Sequence, residues 1–364
     1  MNRREFLAAT AAGGALLLAP GRGRAAALFD PQPGPWRSFA VTTRLDVAKT
    51  GAGLVQAWVP LPSIEEADWI LPEGDAWNGN ATTAEVVTDP ASGARILHAT
   101  FAPEVDKPAL EVVSRLRSRD RGDVLATTGA PALDLADRRL YLAATELLPT
   151  DGIVKETVDR ITAGREGDEA KARAIYDWVV ENTHRVAEVR GCGLGDVASL
   201  LAMGDIGGKC ADLNALYVAL ARASGVPARD LYGIRVAPSA FGYKSLGAGS
   251  EVVTKAQHCR AEVWLDAHGW VPVDPADVRK VVLEEPPGDN ALDSDKVAAA
   301  RAALFGAWEG NWMAYNDAHD LTLPGSDHRV AFLMYPQAEV AGALLDCLDA
   351  PAFAYAITSA ETTA

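Results

Sequence analysis

One cysteine follows a Gly-Gly turn in Gly207-Gly208-Lys209-Cys210-Ala211-Asp212-Leu213-Asn214, at the first turn of what reads as an amphipathic helix. Downstream come Gln257-His258-Cys259-Arg260-Ala261-Glu262-Val263-Trp264 and Trp270-Val271-Pro272-Val273-Asp274-Pro275. A thiol at a helix start, an imidazole on one strand and a carboxylate on the next form an arrangement for thiolate nucleophilic catalysis. A free thiol has a pKa of about 8.5, so only a few per cent is ionised at neutral pH. The positive end of the helix dipole stabilises an anion at the first turn, and a nearby imidazolium does so more strongly. His258 is the natural partner, and the strand order lets Asp274 hold its ring as a third member. N–H groups at the helix start, that of Cys210 included, can donate to a developing oxyanion, each worth about 3 kcal/mol in barrier. Gly207 and Gly208 permit close substrate approach.

Those side chains need a helix and several strands to hold them. Leu213, Leu216, Tyr217 and Leu220 share one face of the Cys210 helix, and Gly225 with Pro227 supplies its stop. Strands are expected over 228–236, 258–265 and 270–273, and a further helix over Asp168–Asn182 with acids at its start. Helices followed by antiparallel-compatible strands make an α+β core. Between residues 36 and 121 the pattern is different: short alternating runs at 39–45, 54–59, 85–87, 95–101 and 110–116, broken by turn residues. That spacing predicts a β-sandwich of roughly immunoglobulin size.

Three blocks in this order resemble the transglutaminase-like superfamily, relatives of the papain-fold thiol enzymes. They are Gly208-Lys209-Cys210-Ala211-Asp212; Arg222-Ala223-Ser224-Gly225-Val226-Pro227-Ala228-Arg229; and His258 with Glu262-Val263-Trp264 and Gly269-Trp270-Val271-Pro272-Val273-Asp274-Pro275. The resemblance covers roughly residues 140–285. It implies Cys210 as nucleophile, His258 as general base and acid, Asp274 as orienting carboxylate, and no metal or organic cofactor. It also implies a nucleophile helix packed on an antiparallel sheet, preceded by the β-rich domain that accompanies many bacterial members. The family commonly has an aromatic residue soon after the histidine, whereas Cys259 and Arg260 follow here. Arg260 is either a charged pocket wall favouring a carboxylate-bearing acyl donor or, more ordinarily, a strand arginine paired to a surface acid.

The expected organisation is a leader at 1–27, a Pro-rich linker at 28–35, a β-sandwich at 36–125, the transglutaminase-like core at 126–290 and a C-terminal extension without assigned chemistry at 291–364. Arg3-Arg4 before an Ala-rich apolar run and Ala25-Ala26-Ala27 read as a Tat-type export signal, which places the mature protein in the periplasm or outside the cell. Composition is that of a soluble globular protein, 49% hydrophobic and 23% charged, and the net charge of −15 argues against a nucleic-acid partner. No stable membrane anchor is expected. With Cys210 kept free, at most one bridge forms among the other three, Cys192 with Cys259 being the preferred pair; equally, all three stay reduced and buried, Cys347 included. His98 reads as a half-exposed strand residue, His184 as a helix-end cap, His268 as a solvent-exposed hairpin tip and Asp212 as a first-turn acid. His319 and His328 fall in the unassigned extension. The glycine-rich run Arg190-Gly191-Cys192-Gly193-Leu194-Gly195-Asp196 reads as a loop close to the nucleophile. The functional expectation is an exported peptidase or amidase working through a thioester on Cys210, with a peptide, protein or small amide as substrate. The alternatives are a protein-glutamine transglutaminase with an amine acceptor and a non-catalytic periplasmic binding protein.

Overall fold

The computed structural model describes residues 29–48 and 53–363, so the expected leader lies outside the described residues. Among the described residues, no helix is long and apolar enough to cross a membrane. Alternating apolar residues build two facing antiparallel sheets. In one, Arg37–Asp46 pairs with Ala109–Ser118 on one side and Ala354–Thr362 on the other, and Ile70–Gly79 lies beyond Ala109–Ser118. The other runs Ala343–Leu344, Gln337–Val340, Val55–Pro60, Arg95–Phe101, Thr83–Thr88. Inward-facing Leu45, Val55, Leu97, Phe101, Leu110 and Val112 from both sheets form one apolar cluster. The strand Ile70–Gly79 escaped sequence reading because Pro72 and Gly74 flank a bulge within it.

The core sheet is antiparallel, in the order Gly269–Val273, Gln257–Leu265, Ala228–Arg235, Trp312–Asn316. Every residue of Ala228–Arg235 is buried, as a central strand covered on both faces requires. The Cys210–Ala223 helix packs on this strand and on Gln257–Leu265. Helices Gly152–Ile161 and Asp168–Asn182 pack against the Cys210 helix in turn. The α+β architecture is therefore as expected, with an N-terminal sheet domain and a helix laid on an antiparallel core sheet.

Segment 291–364 is no appendage. Its strand Trp312–Asn316 completes the core sheet, while Gln337–Val340 and Ala354–Thr362 complete the two sandwich sheets. Each of these strands pairs with a distant upstream segment, so no local pattern reveals the partnership. Within the expected linker, Phe29 is buried against Phe241 and Tyr243, with ring centroids 5.1 Å apart in both pairs. His98 is buried rather than half-exposed, stacked on Trp58 and hydrogen-bonded through Nε2 to Gln56 Oε1 at 2.8 Å. His268 does lie in a hairpin turn, but its ring is nearly covered and contacts the Thr127 carbonyl.

Sandwich and core meet at a junction that is both apolar and charged. Trp69 from the sandwich packs against Trp308 and Trp312. Beside them Arg121 and Arg229 both grip the fully buried Glu262, the latter at 2.6 Å, and Arg229 also reaches Glu66 at 3.1 Å. Burial alone would raise the Glu262 carboxyl, but the two guanidinium groups hold it below its usual range.

Candidate active site

Cys210 is the first residue of its helix, so its N–H has no intrahelical acceptor. The helix start is anchored by Asp212, whose carboxylate accepts from the backbone N–H groups of Leu194, Gly195 and Lys209 at 2.9, 3.0 and 2.9 Å. Asp212 is thus more than a first-turn acid: it ties the 190–196 loop to the Cys210 helix. This explains two glycines. A Cβ on Gly193, which has φ +99°, would fall 1.9 Å from Asp212 Oδ2, and one on Gly208 would fall 2.5 Å from Asp212 Cβ.

His258 lies on the central part of the sheet, opposite Gly233. Its Nε2 is 2.7 Å from Asp274 Oδ2, which leaves Nδ1 as the ring nitrogen available for proton exchange. Asp274 is the N-cap of the helix Pro275–Glu284, with Pro275 at the favoured first position. Its Oδ1 accepts from Asp277 N–H at 3.0 Å and from Asn214 Nδ2 at 3.2 Å. Asn214 is one helical turn beyond Cys210 and also bonds the Cys259 carbonyl at 2.8 Å. The Cys210 helix therefore reaches across to the carboxylate and to the histidine's strand.

Asp277, one turn into its helix, places Oδ1 3.4 Å from His258 Nε2 and is itself neutralised by Arg235 Nη2 at 2.6 and 2.8 Å. Burial lowers the His258 pKa, but the charges of Asp277 and Asp274 outweigh it and the net shift is upward. Asp277 is held low: burial opposes its ionisation, and Arg235 and His258 overcome that. Asp274 goes up through burial and repulsion from Asp277. Possible ligand atoms of His258, Asp274 and Asp277 lie within 4.8 Å of one another, close enough to share a single ion. Arg235 already spans both Asp277 oxygens, so the positive charge an ion would bring is supplied by the chain.

Cys210 and His258 line the same cleft, about 680 Å³ in volume, with Cys192 and the rest of the Arg190-Gly191-Cys192 stretch on its wall. The Cys210 thiol is held well below its ordinary range, first by hydrogen bonds from Cys192 and Cys259 and then by the bond and charge of His258. Cys192 Sγ also reaches the Gln257 carbonyl at 3.4 Å and Cys259 Sγ reaches Met334 Sδ at 3.9 Å. Cys192 is pushed up, first by its contact with Cys210, and Cys259 is pushed up by burial.

The expected Cys192–Cys259 disulfide is not formed, and all four cysteines are free. Cys259 is fully buried beside Met334, while Cys192 lines the cleft. Arg260 is neither a cleft wall nor a surface pair. It is buried over the Trp308 and Trp312 rings, 5.0 and 4.9 Å from their centroids, and donates to the Glu309 carbonyl at 3.0 Å. His184 is 3.6 Å from Asp205, His319 is 3.4 Å from Asp230, and neither lines the cleft, nor does His328. Sequence reasoning missed Asn214, Arg235 and Asp277. Asn214 and Asp277 were accessible in principle, one four residues after the cysteine and one three residues after the capping aspartate. Nothing local distinguishes Arg235.

The transglutaminase-like superfamily profile matches residues 155–275, a span that contains Cys210, His258 and Asp274. An uncharacterized protein of Haemophilus influenzae is 38% identical over 333 residues, covering 87% of this chain and 89% of that protein. Among solved structures, a candidate cysteine protease of Cytophaga hutchinsonii aligns with a TM-score of 0.49 at 14% identity, over 84% of this chain and 98% of its own. The periplasmic domain of TgpA from Pseudomonas aeruginosa aligns with a TM-score of 0.33 at 14% identity, over 70% of this chain and 93% of its own.

Proposed function

We propose, from the premise that this chain belongs to the transglutaminase-like superfamily, that it is a thiol acyl-transfer enzyme that hydrolyses a peptide or amide bond. The observation that carries this reading is a depressed thiol at a helix start, sharing a cleft with an imidazole that a buried carboxylate holds at 2.7 Å. In that arrangement the Cys210 thiolate attacks the carbonyl carbon, and the C–O electron pair moves onto oxygen. The free Cys210 N–H donates to that oxyanion. His258, as imidazolium, protonates the departing amine through Nδ1 as the C–N bond breaks, leaving a thioester. Water then attacks the thioester with His258 as base, the acid departs and the thiolate–imidazolium pair is restored. Asp274 keeps the ring oriented and stabilises its charge throughout.

Replacing Cys210 by Ala should abolish acyl transfer and alkylation at this site, and turnover that survives in Cys210→Ala would remove the proposal. Incubation with a glutamine donor and a labelled amine separates the two acyl acceptors: acid product marks hydrolysis, whereas a new amide marks transamidation. A thiol that titrates near the free-cysteine value would instead favour a non-catalytic binding protein. We also propose export, from the twin arginines Arg3 and Arg4 ahead of an apolar run. Lysine at both positions should retain the protein in the cytoplasmic fraction.

A further inference from the structure

The cleft beside Cys210 has a charge opposite to that of the chain. The protein carries −15 overall, yet among the described residues no aspartate or glutamate lines the cleft, while Arg185, Arg190, Lys209, Arg235, Lys255 and Lys280 all do. Four of these have acidic partners outside the lining: Glu284 serves Arg185 and Lys280, Asp346 serves Arg190, and Asp277 serves Arg235. Lys209 and Lys255 make no ion pair among the described residues. Lys209 immediately precedes the nucleophile, and Lys255 is exposed three residues before His258. Asp212 lies near the sulfur, but its carboxylate is committed to three backbone N–H groups.

We infer that this enzyme selects an acyl donor bearing a carboxylate close to the attacked carbonyl, such as a peptide with an acidic side chain at or beside the scissile bond, and that Lys209 and Lys255 recognise it. The inference rests on the proposed thiol chemistry and adds its substrate class. A concave site lined by one sign of charge concentrates ligands of the other sign, and unpaired ammonium groups are the ones still available to a new carboxylate. The cleft also fits in size, since pockets of roughly 300–1,000 Å³ accommodate small ligands and peptide side chains. Tyr335, Phe353 and Tyr355 give it an apolar flank for the remainder of the donor.

The test uses two alkylating probes of similar size, iodoacetate and iodoacetamide. In both, the Cys210 sulfur forms a bond to the methylene carbon and iodide leaves; only the first carries a carboxylate. Rates are read at the Cys210 peptide by mass spectrometry and divided by those of glutathione, on the whole chain at low salt. Iodoacetate should be preferred by about tenfold, and Lys209→Met with Lys255→Met should remove most of that preference while iodoacetamide still reacts. Because exposed charges are screened over a Debye length of about 10 Å at 0.1 M salt, added salt should erode the preference in the wild type more than in the double variant. Equal normalised rates for the two probes, or a preference that persists in the lysine variant, would overturn the inference while leaving the thiol chemistry intact. If neither probe reacts at Cys210 faster than with glutathione, the thiol chemistry itself fails and the inference falls with it. Peptide amides with Glu, Gln or Lys at the acyl position give the same reading in kcat/KM, with Glu expected first.

Discussion

His258 is faced by two carboxylates, and they do different work. Asp274 binds the ring directly, whereas Asp277 acts mainly through its charge, 3.4 Å away and buttressed by Arg235. In the proposed mechanism, hydrolysis needs Cys210 ionised and His258 protonated together, whereas alkylation needs only the thiolate. The ion pair exists between the depressed thiol pKa and the raised imidazole pKa. Alkylation by iodoacetamide should accordingly stay near its maximum at pH 7 and fall only on further acidification, unlike a free thiol, which is still rising there. In stability terms the depressed thiol contributes above its unfolded pKa, and that contribution is lost as pH falls through the folded value. The raised imidazole contributes below its unfolded pKa, and that is lost as pH rises through the folded value. Asp277→Asn removes the largest charge holding His258 up, so the alkaline edge of the kcat/KM profile for hydrolysis, set by loss of the imidazolium, should move to lower pH. Cys210, His258 and Asp274 were legible because their residue types are rare in combination and stand in recognisable strings. Asp277 and Arg235 were not, because a surface-type arginine and a helix acid look alike whether exposed or buried.

The Cys210 helix does more than present sulfur. Asn214 on its next turn donates to Asp274 and to the Cys259 carbonyl, and accepts from Ala276 N–H at 3.2 Å. Asn214→Ala should cost about 1–3 kcal/mol, because buried partners are left unpaired. It should also lower kcat more than it raises KM, since the loss falls on the orienting carboxylate. Urea unfolding and steady-state kinetics would measure the two effects, and an unchanged kcat would rule out a positioning role. Gly193→Ala should be damaging for a different reason, as it places a methyl group inside Asp212 at a backbone angle that side chains avoid. A lower melting temperature with slower alkylation is expected. The helix and three of the four core strands were readable from periodicity and turn residues. The bulged strand at Ile70–Gly79 and the strands after residue 310 were not, since proline, glycine and long-range pairing erase the local signal.

At the level of the whole chain, Glu262 couples sandwich to core by accepting both Arg121 and Arg229. Glu262→Ala would leave two buried guanidinium groups facing each other, at a cost of about 3–5 kcal/mol. Differential scanning calorimetry should show a lowered transition, and a wild-type value would mean that Glu262 adds nothing to the joining of the two units. Because the folded carboxyl is held low, this contribution is present above the unfolded pKa and fades as pH drops through the folded one. Sequence reading treated the sandwich and the extension as separate pieces, since pairing between positions some three hundred residues apart leaves no trace in either stretch. The strand Ala354–Thr362 pairs with Arg37–Asp46, and it also bonds the cleft-wall segment through Val253 N–H to the Ile357 carbonyl at 2.8 Å and Ser359 N–H to the Glu251 carbonyl at 2.9 Å. Translation therefore imposes an order on assembly: until the ribosome has passed codon 362, the first strand has an open edge and the wall beside His258 lacks these two bonds. A nascent chain that already holds Cys210, His258 and Asp274 would therefore still lack part of the support for its cleft wall until the strand at 354–362 reaches the one at 37–46.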